Sequence, residues 1–206
     1  MTTIAFKPRL TQAQRSAATR AKVIEAARDV LCAQGYSGAT MHAIRDATGM
    51  SLGAIQHQFP SKAKLMAAVA AELSAYRIEV YSDAIRRGTT PRESMANLLD
   101  ANFDLASRPE MAALLELHLA RRNNPDLDRE LAPSTRRFDR RVRLWGHTIL
   151  HAAGVRDDET SQSLQVLNNA ITRGLTVEYI RNPNTAAIGR AIEIWKAQIL
   201  DLLFRT

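Results

Sequence analysis

Between Thr40 and Lys62 the stretch TMHAIRDATGMSLGAIQHQFPSK brings hydroxyl, amide, imidazole and ammonium groups close together, with a single acid, Asp46, among them. Such groups donate hydrogen bonds to phosphate oxygens and read the edges of bases; they make no covalent bond themselves. Thr40, Ser51 and Ser61 each precede a short run of helical character and can accept from an orphan N–H at a helix start. Capping alone is enough to explain those three. Gly49 lies between the first two, and glycine enters the left-handed region without steric cost, so TGMS can end one helix and turn sharply into the next. The periodicity predicts that Ile44, Ala47, Met50, Ile55 and Phe59 pack inward. That leaves Leu52, Gly53, Ala54, Gln56, His57 and Gln58 on an outer face of small and neutral residues, able to enter a groove without repelling phosphate.

Three other constellations could carry chemistry. His147 and His151 are one helical turn apart, a workable metal-ligand spacing, but two ligands do not make a site, and a third from His118 or Glu116 would be required. A row of arginines, Arg136, Arg137, Arg140, Arg141 and Arg143, flanks the apolar seam Phe138, Val142, Trp145 and Ile149. It can receive an anionic head group, although pairing with acids of neighbouring helices is the expected arrangement. The run DDET, Asp157 to Thr160, could hold a cation, or simply complement the positive end of a helix. Neither a phosphate-cradling glycine loop nor a nucleophile elbow is present, so the expectation is no catalytic residue, no metal and no cofactor.

The elements that must position these groups all read as helices. Period 3.6 recurs along the 206 residues and no run alternates with period two. The predicted fold class is all-α. A first helix opens at Thr11, with Gln14 reaching back, and ends at Gly35. Short helices follow at 40–48 and 52–58, and a long one from Ser61 to before Gly88. Five more cover 91–107, 109–123, 125–153, 158–181 and 185–204. TPRE at Thr90 to Glu93 reads as a capping box with proline in the first turn; Pro133 falls inside a helix and is the expected place for a kink. The net charge of +7 is unevenly placed: residues 1–66 hold nine Lys or Arg against three acids, the other 140 residues 19 against 18. A basic first third joined to a balanced remainder implies that one end meets a polyanion. A single cysteine, Cys32, excludes an internal disulfide, and no apolar stretch is long enough to span a membrane, so a cytoplasmic protein is expected.

The segment TMHAIRDATGMSLGAIQHQFPSKAKLMAAV, preceded by VIEAARDVLCAQGYSGAT, resembles the DNA-binding segment of the tetracycline-repressor (TetR) family of bacterial transcription regulators. The shared pattern is Thr40, Ile44, Gly49, Ser51, Gly53, Ile55, Phe59, Ser61, Lys62 and Leu65. Gln56 stands where the family most often has Tyr, and Arg45 where a small Ala lets the two helices approach. The resemblance implies phosphate anchoring by Thr40 and Lys62, with Ser51, Gln56 and His57 on phosphates or base edges. It also implies close approach at Gly53 and Ala54, and a thymine methyl against Ala54 or Leu52. His42 faces outward and adds a possible contact; Arg45 is expected to swing to the DNA backbone, and Lys7 and Arg9 to follow in a basic arm. The organisation expected is an arm at 1–15, a helix-turn-helix domain at 16–66 and a helical effector-binding and dimerisation domain at 67–206.

Residues 164–180 carry two apolar stripes, Leu164, Leu167, Ile171 and Leu175 on one side, Val166, Ala170, Val177 and Ile180 on the other. A second face implies a partner, so this helix and the last one, with Ile188, Ile192, Trp195 and Ile199, are expected to form a homodimer interface. A helix buried within its own domain explains the same pattern. A ligand pocket is expected among Leu99, Phe103, Leu115, His118, Trp145 and Ile149. The function expected is a regulator, a repressor released from a palindromic operator in double-stranded DNA by an unidentified small-molecule effector. The alternative is an all-helical enzyme or small-molecule-binding scaffold without DNA readout.

Overall fold

The structure is a computed structural model and describes residues 11–182 and 185–204. Among these every regular element is helical. The order is α1 (Gln12–Gly38), α2 (Met41–Thr48), α3 (Leu52–Gln58), α4 (Lys62–Arg86) and α5 (Pro91–Ala106), followed by α6 (Pro109–Ala120), a 3₁₀ turn (Arg121–Asn123), α7 (Pro125–Ala152), α8 (Asp158–Arg181) and α9 (Thr185–Phe204). Local chemistry accounts for the boundaries. Thr11 and Gln14 form a reciprocal capping box, and Thr40, Ser51 and Ser61 each accept from the third amide of the helix they open. At Thr90 the box is displaced by one residue: the hydroxyl accepts from Glu93 N–H, but the Glu93 carboxylate takes Thr89 N–H at 2.8 Å instead of returning to the cap. Pro133 sits inside α7 without ending it.

Two apolar cores hold the helices. The first gathers Val23, Ala27 and Leu31 of α1, Ile44 of α2 and Ile55 of α3, with Leu65, Met66 and Val69 of α4, Leu117 of α6 and Leu127 and Leu131 of α7. The second joins Leu99 and Phe103 of α5, Ile149 and Leu150 of α7, and Ile199, Leu200 and Leu203 of α9. The first core spans the boundary expected at residue 66, and α4 runs unbroken through it for about 37 Å by the helical rise. The N-terminal three helices are therefore built onto a lever that continues into the larger part. Residues 12–15, expected in the arm, belong to α1; Lys7 and Arg9 lie outside the described residues.

Two glycines turn the chain. Gly49 has φ 67° and ψ 14°, and its N–H closes α2 on the Arg45 carbonyl. Gly35 breaks α1 at φ 69° and ψ 178°, a region that is essentially glycine's own. A Cβ at Gly49 would meet nothing within 4 Å, whereas at Gly35 it would lie 2.7 Å from Glu116 Oε2. That oxygen also accepts from Tyr36 N–H. Gly35→Ala is therefore expected to cost about 3 kcal/mol, strain and a lost charged hydrogen bond together, and Gly49→Ala about 1 kcal/mol. Urea midpoints check the ranking; equal losses would remove the role given to Glu116.

Candidate nucleic-acid interface and ligand cavities

Helix α3 is too short to hold itself and is positioned by its neighbours. Ile55 and Phe59 are buried in the first core. Behind them Arg20 of α1 lies over the Phe59 ring at 4.1 Å and reaches the Gln58 carbonyl at 3.4 Å, while Gln58 Nε2 donates to Ser16 Oγ at 3.3 Å. Sequence reasoning missed Arg20 and Ser16, because nothing local ties them to a helix about forty residues on. Gly53, Ala54, Gln56 and His57 are exposed and Leu52 is half-buried. A Cβ added at Gly53 would meet nothing within 4 Å. Glycine inside a helix costs about 1 kcal/mol relative to alanine, and nothing within the chain requires it there.

The α2 side supplies polar groups. Thr40 and His42 are exposed. The capping hydroxyls of Thr40 and Ser51 use lone pairs, so each O–H remains available to donate to a phosphate. Arg45 pairs with the adjacent Asp46 at 2.6 Å instead of swinging outward; an exposed pair of this kind is weak and exchangeable. Ala47, expected inside, is exposed, and Thr48 takes the buried position with its hydroxyl on the Arg45 carbonyl. Lys62 is drawn inward: its ammonium donates to the Tyr36 carbonyl at 2.5 Å and lies 4.0 Å from the Tyr36 ring centre, and burial lowers its pKa. Tyr36 is thus gripped three ways, by Lys62, by the Glu116 carboxylate on its N–H and by Asn124 Nδ2 on its hydroxyl.

The larger part contains two adjoining cavities. An apolar one of about 80 Å³ is lined by both tryptophans, Trp145 and Trp195, together with Leu99, Leu150, Ile199 and Leu203. A polar one of about 400 Å³ is lined by Leu115, His118, Arg121, Asp139, Thr172 and Arg173. Arg77, Tyr81, Asn102, Phe138 and Asn169 line both and form the wall between them. Of the expected pocket residues, Leu99 and Trp145 fall in the first cavity and Leu115 and His118 in the second, while Phe103 and Ile149 are core. Burial and the neighbouring guanidiniums of Arg121, Arg173 and Arg77 lower the His118 pKa to about 4, so the imidazole is neutral.

The other constellations resolve differently. The α7 arginines Arg136, Arg137, Arg140 and Arg143 are exposed and make no ion pair among the described residues, contrary to the pairing expected; Arg141 lies 4.9 Å over Trp145. His147 faces Asp158 at 3.0 Å and stacks on His151, and no group of three or more metal-binding side chains occurs among the described residues. Asp157 caps α8 by accepting from Glu159 and Thr160, and those bonds lower its pKa. Of the eight residues expected at a dimer interface, only Leu167 is exposed. Leu164, Ile171, Leu175, Ile192, Trp195 and Ile199 pack on the second core, and Ile188 is buried. The exposed apolar stripe comprises Val166, Leu167, Val177 and Ile180 of α8 with Ile194 and Leu202 of α9.

Two short helices joined through a left-handed glycine, the second buried on one face and uncharged on the other, define a helix-turn-helix protein. The model of the family described as bacterial regulatory proteins, tetR family, matches residues 23–69. The chain is 31% identical over 170 residues, 77% of its length and 81% of its relative's, to the HTH-type transcriptional repressor Rv1474c of Mycobacterium tuberculosis. It is 42% identical over 65 residues to the HTH-type transcriptional repressor AcnR of Corynebacterium efficiens, of which it spans 35%. A transcriptional regulator from Rhodococcus sp. Rha1 has the same fold, with a TM-score of 0.73 at 22% identity over 88% of this chain and 96% of that one. The chain belongs to the TetR family of bacterial regulatory proteins. It is a DNA-binding transcription regulator, and among the described residues no helix is long and apolar enough to cross a membrane.

Proposed function

We propose that the protein is a homodimeric repressor whose two α3 helices read a palindromic operator and leave it when a small molecule fills the cavities of the larger part. The observation that carries this reading is the shared ownership of α4 and α6. Ala70, Ser74, Arg77 and Tyr81 of α4 and Met111, Leu114, Leu115 and His118 of α6 line the polar cavity. The same two helices hold Tyr36, just before α2, through Lys62 and Glu116. A ligand that shifts α6 against α4 therefore moves the helix-turn-helix. Release follows when the two recognition helices no longer match successive major grooves about 34 to 36 Å apart. Driving that equilibrium from 1:99 to 99:1 takes a preference of about 5.5 kcal/mol for the released state.

Within this reading Thr40 and Arg45 contact phosphates, Lys62 holds Tyr36 in place for them, and Ser51, Gln56, His57, Ala54 and Leu52 face the bases, with His42 alongside. Selecting bound duplexes from a random pool supplies the operator. On it, Thr40→Val is expected to weaken all sequences alike by about fivefold per half-site, one hydrogen bond's worth each, and so by about 25-fold for the dimer. His57→Ala and Ala54→Ser are expected to change the order of preference among sequences, by about 1–3 kcal/mol at the affected base pair. Uniform losses from all three variants would contradict the division of roles.

A further inference from the structure

Unsatisfied polar atoms gather around the apolar cavity. Arg77 Nε, Asn168 Oδ1 and Trp195 Nε1 are buried without a hydrogen-bond partner, and all three belong to residues lining it. Buried polar groups are rarely left so, and Arg77 Nε is the one among the three that carries charge. Arg77 is the most telling. It has no acid partner among the described residues, and its guanidinium lies 4.1 Å from the Phe138 ring centre and 5.8 Å from that of Tyr81. Aromatic rings hold the charge in place but do not neutralise it.

Charge in the polar cavity decides what does. Arg77, Arg121, Arg173 and Asp139 line it. Arg121 is already matched by Asp128 at 2.6 Å, whereas Arg77, Arg173 and Asp139 make no ion pair among the described residues. The unmatched balance is one positive charge, which favours an anion over a cation. The planar fork of a guanidinium fits a carboxylate in two parallel bonds. Next door the tryptophans and leucines offer only apolar surface, apart from the orphaned atoms. Thr172 and Tyr81, joined through Asn102 by bonds of 2.5 and 2.6 Å, tie α8, α5 and α4 together at the wall between the two chambers.

We infer that the effector is an apolar monocarboxylate, its body between Trp145 and Trp195 and its carboxylate on Arg77 and Arg173; this rests on the ligand-released repressor proposed above.

The test uses the full chain and a matched set of probes: octanoate and 4-phenylbutyrate as carboxylates, octanol as the neutral counterpart and octylamine as the cation. Trp145 and Trp195 are the only tryptophans, so intrinsic emission reports directly on the chamber. A carboxylate is expected to shift the emission saturably, octanol at least tenfold more weakly, and octylamine not at all. Arg77→Gln and Arg173→Gln, each checked for native helicity and thermal midpoint, are expected to weaken the carboxylates by about 10- to 100-fold while leaving octanol unchanged, as loss of a charge-assisted contact requires. Octanol binding as tightly as octanoate, both variants binding octanoate like the parent chain, or no carboxylate of the set moving the emission would each overturn the inference. Operator release is scored separately. A carboxylate that binds through Arg77 without releasing DNA sinks the release reading and leaves the ligand class standing; release by neutral or cationic molecules alone does the reverse.

Discussion

Between about 50 and about 200 mM salt, operator affinity is expected to fall by about 10³ to 10⁵, the loss that follows when protein contacts to about six to ten phosphates release their condensed counterions to solution. The geometry concentrates this dependence outside the recognition helix. Helix α3 carries no Lys or Arg. The cations of the N-terminal third are on the neighbouring elements: Arg15, Arg20 and Lys22 on α1, Arg45 on α2, and Lys64 at the start of α4, with Arg20 reaching the Gln58 carbonyl. In the proposed complex phosphate contact would come from the flanks while the neutral face of α3 meets the bases. Arg45→Ala is expected to make the logarithmic salt slope shallower by about one for each recognition module, because each contact releases about one counterion. His57→Ala should leave the slope intact. Binding that is indifferent to salt, or a slope carried by His57, would contradict this arrangement.

A charge placed on the exposed α8 stripe is expected to cost nearly as much without touching DNA. Val177 and Ile180 are 40% and 63% exposed in the single chain, so Val177→Arg or Ile180→Glu leaves no cavity and buries no charge in the protomer. In the proposed dimer those positions would meet a second copy, where an unpaired charge is strongly disfavoured. Two linked recognition helices bind more tightly than one by about 10² to 10⁴ through effective concentration alone. At nanomolar protein the variants should therefore be monomeric by light scattering, native in helicity, and weaker on a palindromic operator by about that factor. On an isolated half-site they should match the parent chain. Variants that stay dimeric would move the interface elsewhere, and monomers that bind the palindrome undiminished would remove the need for a dimer.

The capping signals were readable because their cause is local. A hydroxyl at Thr40, Ser51 or Ser61 needs only the amide three residues on, and a proline at Pro91, Pro109 or Pro125 needs only the first turn of its own helix. TPRE misled by one residue, since the Glu93 carboxylate had two neighbouring amides within reach and took the earlier one. The outward face of α3 was readable for a similar reason, seven residues with Ile55 as the buried anchor.

What the sequence by itself determined is the helical class, the left-handed turn at Gly49, the basic character of the first third and the neutral recognition surface. Each depends on backbone sterics, helical period or summed charge, none of which needs a distant partner. Tertiary structure alone decided which stripe of α8 stays uncovered, that Lys62 turns onto Tyr36 and not outward, that Glu116 closes the Gly35 turn by holding the Tyr36 N–H from 80 residues away, and that Arg77 is left between two cavities with no acid to meet it among the described residues. An amphipathic pattern states that a face must be buried but not against what. A charged side chain takes its role from whichever neighbours the fold brings to it.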